Sequence, residues 1–206
     1  MCRKKRKEVF TMAQTKTTFE DYDNIIYLDI ETSGFDAQKD RIIELAYVAE
    51  CSSGCSTNED FIRLPEGASV PEPIAELTGI TDEFLEMRGV AEEDAARTLL
   101  AALATSRGGR TLIVAHNAKF VMEFIRNMFA RYGEESPEYL QILSAADCLD
   151  TQEVFMERHP GPHKFSDIVK AYYLDGRVSY SRRAIDDCKA LHEVCRAMRE
   201  ESNEQF

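Results

Sequence analysis

Hydrophobic residues in the first third of the chain form short runs of strand length rather than helical stripes. Residues 25–30 form an apolar run of the kind that a central strand requires. Residues 41–50 and 56–64 have the composition of two further strands, joined by a turn at residues 51–55. Three consecutive strands of this kind favour an antiparallel meander.

The remainder of the chain alternates between helical periodicity and short buried runs. The predicted helices cover residues 74–87 (two short pieces around 78–81), 91–105, 118–132, 151–158, 165–173 and 183–196. The remaining predicted strands cover residues 112–115 and 142–149. We therefore predict an α/β fold around one mixed sheet, with a polar basic tail at residues 1–20, one domain at residues 21–200 and a C-terminal tail at residues 201–206.

The charge balance of the chain excludes one class of function. The 206 residues carry a formal net charge of −12, whereas proteins that coat nucleic acid by electrostatics alone are usually basic. Residues 3–7 are nevertheless all basic, which fits a nucleic-acid-binding arm, a localisation tag or a solubilising end. No apolar run approaches the roughly 20 residues of a membrane span and the N-terminus lacks a secretory signal, so we predict a cytoplasmic protein without a membrane segment. The six cysteines lack the paired spacing of a zinc site, and we expect reduced thiols.

Two carboxylates end the first predicted strand. Asp29 and Glu31 are two residues apart, so their side chains share one face of a strand. Two like charges repel there unless a cation lies between them, and hard divalent ions such as Mg²⁺ prefer carboxylate oxygens. A pair of such ions can hold the attacking and leaving oxygens of a phosphodiester. The alternative is an ordinary strand end that runs into the turn at residues 32–34.

Five segments appear in an order that is similar to one known family. They are residues 28–34 together with 41–44, 71–81, 115–120, 149–151 and 183–187. This order resembles the DEDDh 3′–5′ exonucleases, the family of polymerase proofreading subunits and ribonuclease T, across residues 22–198. The resemblance implies a three-layer ribonuclease H-like fold, with a mixed five-stranded sheet flanked by helices.

The resemblance also implies a metal site and a nucleotide pocket. Asp29 would contact both of two metal ions, Mg²⁺ or Mn²⁺, and Glu31 and Asp187 would complete the first metal site. The residues that would bind the terminal nucleotide or shape its pocket are Thr32, Gly34, Phe35, His116 and Asn117. Asn117 has an alternative interpretation as the cap of the helix predicted from residue 118.

Two positions depart from the family pattern. Val121 stands where the second motif has an aspartate, and Arg182 stands where the third motif has a histidine, the general base. Loss of an acidic group that orients metal or water costs about 10- to 100-fold, and loss of a positioned base costs about 100- to 10,000-fold. An arginine stays protonated and cannot replace histidine as a base. We therefore expect impaired catalysis; the alternative is an active metal-dependent 3′–5′ exonuclease that acts on single-stranded DNA or RNA ends.

Arg182 has three interpretations. Its guanidinium could reach Asp29, Glu31 or Asp187 and supply the charge of a metal ion, meet a backbone phosphate, or be solvated. The expected partner is the 3′ end of a DNA or RNA strand, and a protein partner or a homodimer is compatible with the sequence. The two departures could be natural or introduced.

Overall fold

The computed structural model describes residues 19–104, 109–132, 138–159, 161, 164–172, 174, 176–178 and 182–204. Its strands are β1 (Asn24–Thr32), β2 (Ile42–Cys51), β3 (Gly54–Phe61), β4 (Thr111–Ala115) and β5 (Asp147–Asp150). They form one five-stranded sheet in the order β3-β2-β1-β4-β5. The strands β1, β2 and β3 pair antiparallel, whereas β4 pairs parallel with both β1 and β5. The predicted meander and the predicted mixed sheet are both confirmed.

Helices cover both faces of the sheet and make the molecule three-layered. They are α1 (Glu72–Thr78), α2 (Asp82–Arg88), α3 (Glu92–Leu103), α4 (Ala118–Tyr132), α5 (Glu138–Ala145), α6 (Thr151–Arg158), α7 (Phe165–Ala171) and α8 (Ala184–Glu204). Ile26 and Leu28 of β1 pack with α3, α4 and α5 on one face of the sheet. Ile25 and Tyr27 pack with α8 on the other face. Because β1 is buried on both faces, its apolar run carries no alternation.

The strand predicted at residues 142–149 is wrong over most of its length. Residues 142–145 belong to α5. Within the predicted range, only the residues from Asp147 onward form a strand, β5. Tyr139 and Leu143 are four residues apart, lie on one helix face and are each 5% exposed. The Tyr139 ring packs against Phe129 of α4 with ring centroids 5.2 Å apart. Packing on α4 therefore selects a helix, where the short apolar run alone was compatible with either element.

The described secondary structure extends slightly beyond both ends of the predicted domain, whose boundaries stay a prediction. Residues 19–21 form a short 3₁₀ turn, and the rest of the predicted N-terminal tail lies outside the described residues. The last helix, α8, continues to Glu204, four residues into the predicted C-terminal tail. All five cysteines in the described part of the chain are free thiols, as predicted. Within the described ranges, no helix has the length and apolar character that a membrane span needs.

Candidate nucleic-acid end site

The end of β1 and the start of α8 bring three carboxylates near one another. In the register of the sheet, Asp29 lies opposite Ala46 and Glu31 lies opposite Glu44. Asp29 and Glu31 share the sheet face that packs against α8, which carries Asp187 in its first turn. The structure therefore brings together the three predicted metal ligands, although Asp187 lies 158 positions after Asp29 in the chain.

Mutual repulsion and burial hold protons on this carboxylate cluster. Burial, and then the charges of Asp187 and Glu31, raise the pKa of Asp29 well above its usual range. Burial, reinforced by Asp187, raises the pKa of Glu31 to about 7, although Arg182 and Arg183 oppose that rise. Burial likewise raises the pKa of Asp187 to about 7, with Asp186 and Glu44 adding to the effect. The cluster favours any ligand that brings positive charge or hydrogen-bond donors.

The fit of a metal ion to this cluster is incomplete. Asp187 Oδ1 is buried and has no hydrogen-bond partner among the described residues, and a divalent ion is one group that would satisfy such an oxygen. However, no group of three or more His, Cys, Asp or Glu side chains in the described ranges is arranged to hold a metal ion. The oxygen donors suit Mg²⁺ or Mn²⁺, but Asp29, Glu31 and Asp187 do not form a complete coordination site here. The metal assignment of these residues stays a prediction.

Arg182 does not replace the metal by direct contact. Its Nη1 donates a hydrogen bond to the carbonyl oxygen of Leu77 at 3.2 Å, at the end of α1, and its side chain is exposed. No ion pair joins Arg182 to Asp29, Glu31 or Asp187, all of which the structure describes. Its charge nevertheless lowers the pKa of Glu31. The first of the three interpretations of Arg182 is therefore not supported by the geometry.

Arg183 forms an ion pair with a buried carboxylate of the sheet, a role that was not predicted from the sequence. Its Nε lies 3.2 Å from both carboxylate oxygens of the fully buried Glu44, and its Nη2 donates to Glu59 at 2.9 Å. The guanidinium also lies 4.6 Å from the centre of the Phe61 ring. Glu44 and Arg183 both fall inside the matched motifs, but the motif order gave no signal that they pair.

Val121 belongs to the apolar core. It is 2% exposed and lies in the cluster that β1 forms with α3, α4 and α5. The family's aspartate is therefore replaced by a side chain that packs with hydrocarbon. A carboxylate introduced here without a partner would be desolvated.

The turn after β1 is closed by short hydrogen bonds and presents an aromatic side chain. Thr32 Oγ1 donates to the carbonyl oxygen of Gly34 at 2.6 Å. A Cβ at Gly34 would lie 2.3 Å from Asp40 Oδ2, so the turn needs a residue without a side chain unless Asp40 moves. The Phe35 ring is 85% exposed and lies 6.5 Å from the ring of Phe120. Phe120 is a second aromatic beside the predicted pocket that the sequence reasoning did not assign.

Asp150, rather than the side chain of Asn117, caps the first turn of α4. Its carboxylate accepts hydrogen bonds from the backbone N–H groups of Asn117 at 3.0 Å and Ala118 at 2.7 Å. It also caps α6 by accepting from the backbone N–H of Gln152 at 2.9 Å. Asn117 itself is exposed and has φ = 56°, a left-handed conformation that asparagine tolerates better than most residues. Among the described residues, the side chain of Asn117 makes no hydrogen bond to the start of α4, so the interpretation of Asn117 as the helix cap is not supported.

A cavity of about 110 Å³ lies between the sheet edge and α8. Its lining residues are Asp29, His116, Phe165, Asp187 and Leu191. His116 is 87 positions from Asp29 and 71 positions from Asp187 in the chain. The fold brings all three side chains to one cavity, so His116 shares it with two of the predicted metal ligands. Phe165 and Leu191 were not predicted, because nothing in their local sequence distinguishes them from ordinary core residues. Glu31 and Asn117 do not line this cavity.

A family model and two curated relatives show which known proteins the sequence is similar to. A family model described as "Exonuclease" matches residues 26–195. Ribonuclease T from Vibrio cholerae is 32% identical over 121 residues, which are 53% of this chain and 54% of that protein. The PolC-type DNA polymerase III of Clostridium perfringens is 26% identical over 172 residues, 84% of this chain but 11% of that protein. The chain thus spans about half the length of ribonuclease T.

Solved structures confirm the fold. E. coli exonuclease I in complex with a dA16 oligonucleotide matches with a TM-score of 0.68 at 17% sequence identity. The match covers 86% of this chain and 41% of that chain. At this identity the likeness concerns the fold alone, and it confirms the predicted ribonuclease H-like α/β architecture.

Proposed function

Since this chain belongs to the exonuclease family, we propose that it is a DEDDh-type 3′–5′ exonuclease-like domain that binds the 3′ end of DNA or RNA and hydrolyses it poorly or not at all. Binding is supported by the exposed ring of Phe35 in the turn after β1, because an exposed aromatic ring can stack on a base. Exonuclease I, which shares the fold, holds a single-stranded DNA oligonucleotide in its crystal structure.

The observation that carries the impaired hydrolysis is the apolar burial of Val121. Position 121 supplies no oxygen to the carboxylate cluster, and its side chain packs into the core. Position 182 supplies a permanently charged group that donates to a backbone carbonyl instead of a base that could accept a proton. If the two losses act independently, turnover would be reduced by roughly a thousand- to a million-fold.

A working metal-dependent 3′–5′ exonuclease is the second candidate function. It is favoured by the three carboxylates that remain and by the Asp187 oxygen that has no hydrogen-bond partner among the described residues. Asp29, Glu31 and Asp187 would hold Mg²⁺ or Mn²⁺, which would supply Lewis-acid stabilisation of the phosphodiester. A cytoplasmic location, and a protein partner or a homodimer, stay proposals as well.

Degradation of a short 5′-labelled single-stranded DNA and RNA tests the two candidates. The wild type is incubated with each strand and Mn²⁺ or Mg²⁺, beside Asp29→Ala and the double variant Val121→Asp with Arg182→His. We expect shortening from the 3′ end only with the double variant, while the wild type binds both strands by fluorescence anisotropy. Cleavage by the wild type that Asp29→Ala abolishes would establish the second candidate instead.

A further inference from the structure

A second cavity lies between α8 and the edge of the sheet that β3 forms. Its volume is about 430 Å³, within the roughly 300–1,000 Å³ of small-molecule sites. Thr57 of β3 lies opposite Val48 of β2 in the sheet register, and both line this cavity. Asp186, Lys189 and Glu193 of α8 also line it, at the three- and four-residue spacing of one helix face. Among the described residues, this second cavity shares no lining residue with the candidate nucleic-acid end site.

Arg177 brings a positive charge to the second cavity. It lines the cavity and is exposed. Its backbone N–H donates to the carbonyl oxygen of Leu174 at 2.9 Å, but its guanidinium makes no ion pair or hydrogen bond with another described residue. An arginine stays protonated and presents five N–H donors in a planar fork that matches carboxylate and phosphate oxygens. The guanidinium of Arg177 is therefore available to an anionic ligand.

The carboxylates that would repel such an anion have counter-charges of their own. Glu193 Oε2 lies 3.3 Å from Arg196 Nη2. Asp186 Oδ1 lies 3.9 Å from Lys189 Nζ, a long contact in which the ammonium keeps donors for a ligand. With Arg177, the three cations exceed the two carboxylates by one charge, although the whole chain has a net charge of −12. The second cavity is thus a place on an acidic protein where an anion is not repelled.

The rest of the lining suits a ligand with a carbon frame and hydrogen-bond donors. Val178 and the edge of Val48 provide apolar surface, and the hydroxyl of Thr57 is a polar group beside them. The carboxylates of Asp186 and Glu193 can accept hydrogen bonds from hydroxyl or amino groups. A phosphate monoester carries a charge of about −1.5 to −2 near pH 7, which matches two cations, whereas a single carboxylate matches one.

We propose that the second cavity binds a small phosphate monoester, a nucleotide or a sugar phosphate, whose phosphate contacts Arg177 and Lys189 and whose carbon frame lies against Val178. This inference goes beyond the proposed function and does not depend on it. The two sites adjoin through α8, since Asp186 lines the second cavity and the next residue, Asp187, lines the cavity of the candidate nucleic-acid end site.

Calorimetric titration of the full chain in chelator tests the ligand class. The probes are adenosine 5′-monophosphate, ribose 5-phosphate, adenosine and inorganic phosphate. We expect at least one monoester to bind about tenfold or more tightly than adenosine, which lacks the charged group, and than inorganic phosphate, which lacks the carbon frame. The tighter monoester identifies the preferred frame. If adenosine or inorganic phosphate binds as tightly as both monoesters, the inference is overturned.

Variants then connect the affinity to the second cavity. Arg177→Gln should weaken binding of the tighter monoester by roughly ten- to a hundredfold, the range for hydrogen bonds to a charged group. Arg88→Gln, at an exposed arginine at the end of α2, should bind as the wild type. Asp29→Ala should also bind as the wild type, because Asp29 lines the other cavity. Thermal unfolding checks that each variant is folded. An unchanged affinity in Arg177→Gln, or loss of binding in Asp29→Ala, overturns the inference.

Two exposed thiols give a second readout in the unmodified sequence. Cys55 lines the second cavity, whereas Cys51, at the other end of the same turn, does not. At a monoester concentration of ten times its Kd, alkylation of Cys55 should slow by about tenfold while alkylation of Cys51 keeps its rate, as followed by mass spectrometry. Equal effects of the ligand on the two thiols contradict binding in this cavity. Strand binding, which tests the proposed function, is a separate measurement, so either proposal can fail without the other.

Discussion

At the scale of single residues, Val121 does two things in one position. It places a hydrocarbon where the family pattern has a carboxylate, and it adds an apolar side chain to a core that is closed around it. A return to the family residue is therefore not a simple restoration, since the surrounding side chains suit a hydrocarbon. An aspartate at position 121 would restore the oxygen ligand of the family pattern but would disturb the apolar packing.

We expect Val121→Asp to destabilise the protein in chelator by about 3 kcal/mol, because an unpaired carboxylate would be buried among apolar side chains. Val121→Thr, which has the same shape, should cost less, since a hydroxyl is less expensive to bury than a carboxyl group. Urea unfolding measures both free energies. Equal stability of the two variants would show that position 121 is solvated and not part of the core. If the new carboxylate completes a metal site, excess Mn²⁺ should recover part of the lost stability.

At the scale of elements, Asp150 joins the starts of two helices. One carboxylate accepts from the N-terminal backbone of α4 and from that of α6, so the turn that carries His116 is held by a residue of β5. Similarly, Arg183 at the start of α8 is held by Glu44 of β2. Both contacts position the ends of the elements that surround the cavity.

Asp150→Ala should therefore destabilise the protein by about 2 kcal/mol, a typical upper cost for a lost helix cap, because two helices lose their acceptor. Asp150→Asn retains an acceptor oxygen and should cost roughly half as much. Thermal or urea unfolding of the two variants checks this order. A loss no larger than that of an exposed carboxylate such as Glu86→Ala would contradict the shared cap.

Removal of Arg183 should be more costly. Arg183→Ala leaves the fully buried carboxylate of Glu44 without its ion-pair partner, and we expect a loss of about 3 kcal/mol. The double variant Arg183→Ala with Glu44→Gln removes the unpaired charge and should recover part of that loss. Urea unfolding of both proteins gives the comparison. Glu44→Gln alone gives the cost of the second substitution. If the double variant loses the sum of the two single costs, the two side chains are not coupled.

The sequence predicted most elements because their patterns are set locally. The apolar run of β1 and the stripe of α4 follow directly from burial on two faces and on one face. The helix α5 was missed because its identity depends on contact between Tyr139 and Phe129. The carboxylates of the site were predicted from a strand end and a motif order. The ion pair of Arg183 with Glu44 and the cap that Asp150 provides for α4 join residues far apart in the chain, which no local pattern contains.

At the scale of the whole molecule, an acidic chain concentrates part of its charge at one sheet edge. The raised pKa values of Glu31 and Asp187, each about 7, mean that the folded protein binds protons there that the unfolded chain releases between about pH 4 and pH 7. The free energy of unfolding should therefore fall as the pH rises through this window. His116 acts in the opposite direction below about pH 6.5, because its lowered pKa disfavours a proton in the folded state.

We expect the fall in stability between about pH 4 and pH 7, measured by urea unfolding in chelator, to be smaller in Asp187→Asn than in the wild type, because the amide does not titrate. Asp186→Asn is a control from the same helix turn, although it also relieves part of the repulsion on Asp187. Parallel stability curves for the wild type and Asp187→Asn would mean that Asp187 does not contribute to the pH dependence.

The exposure of Phe35 has a practical consequence for observing this protein. The chain contains no tryptophan, so Phe35→Trp would introduce a single indole in the exposed turn after β1. Its intrinsic fluorescence would have no background from other indoles, and stacking on a base would quench it. Binding of a strand end at this surface could then be followed by the fluorescence of the protein itself, without a label on the protein, the DNA or the RNA.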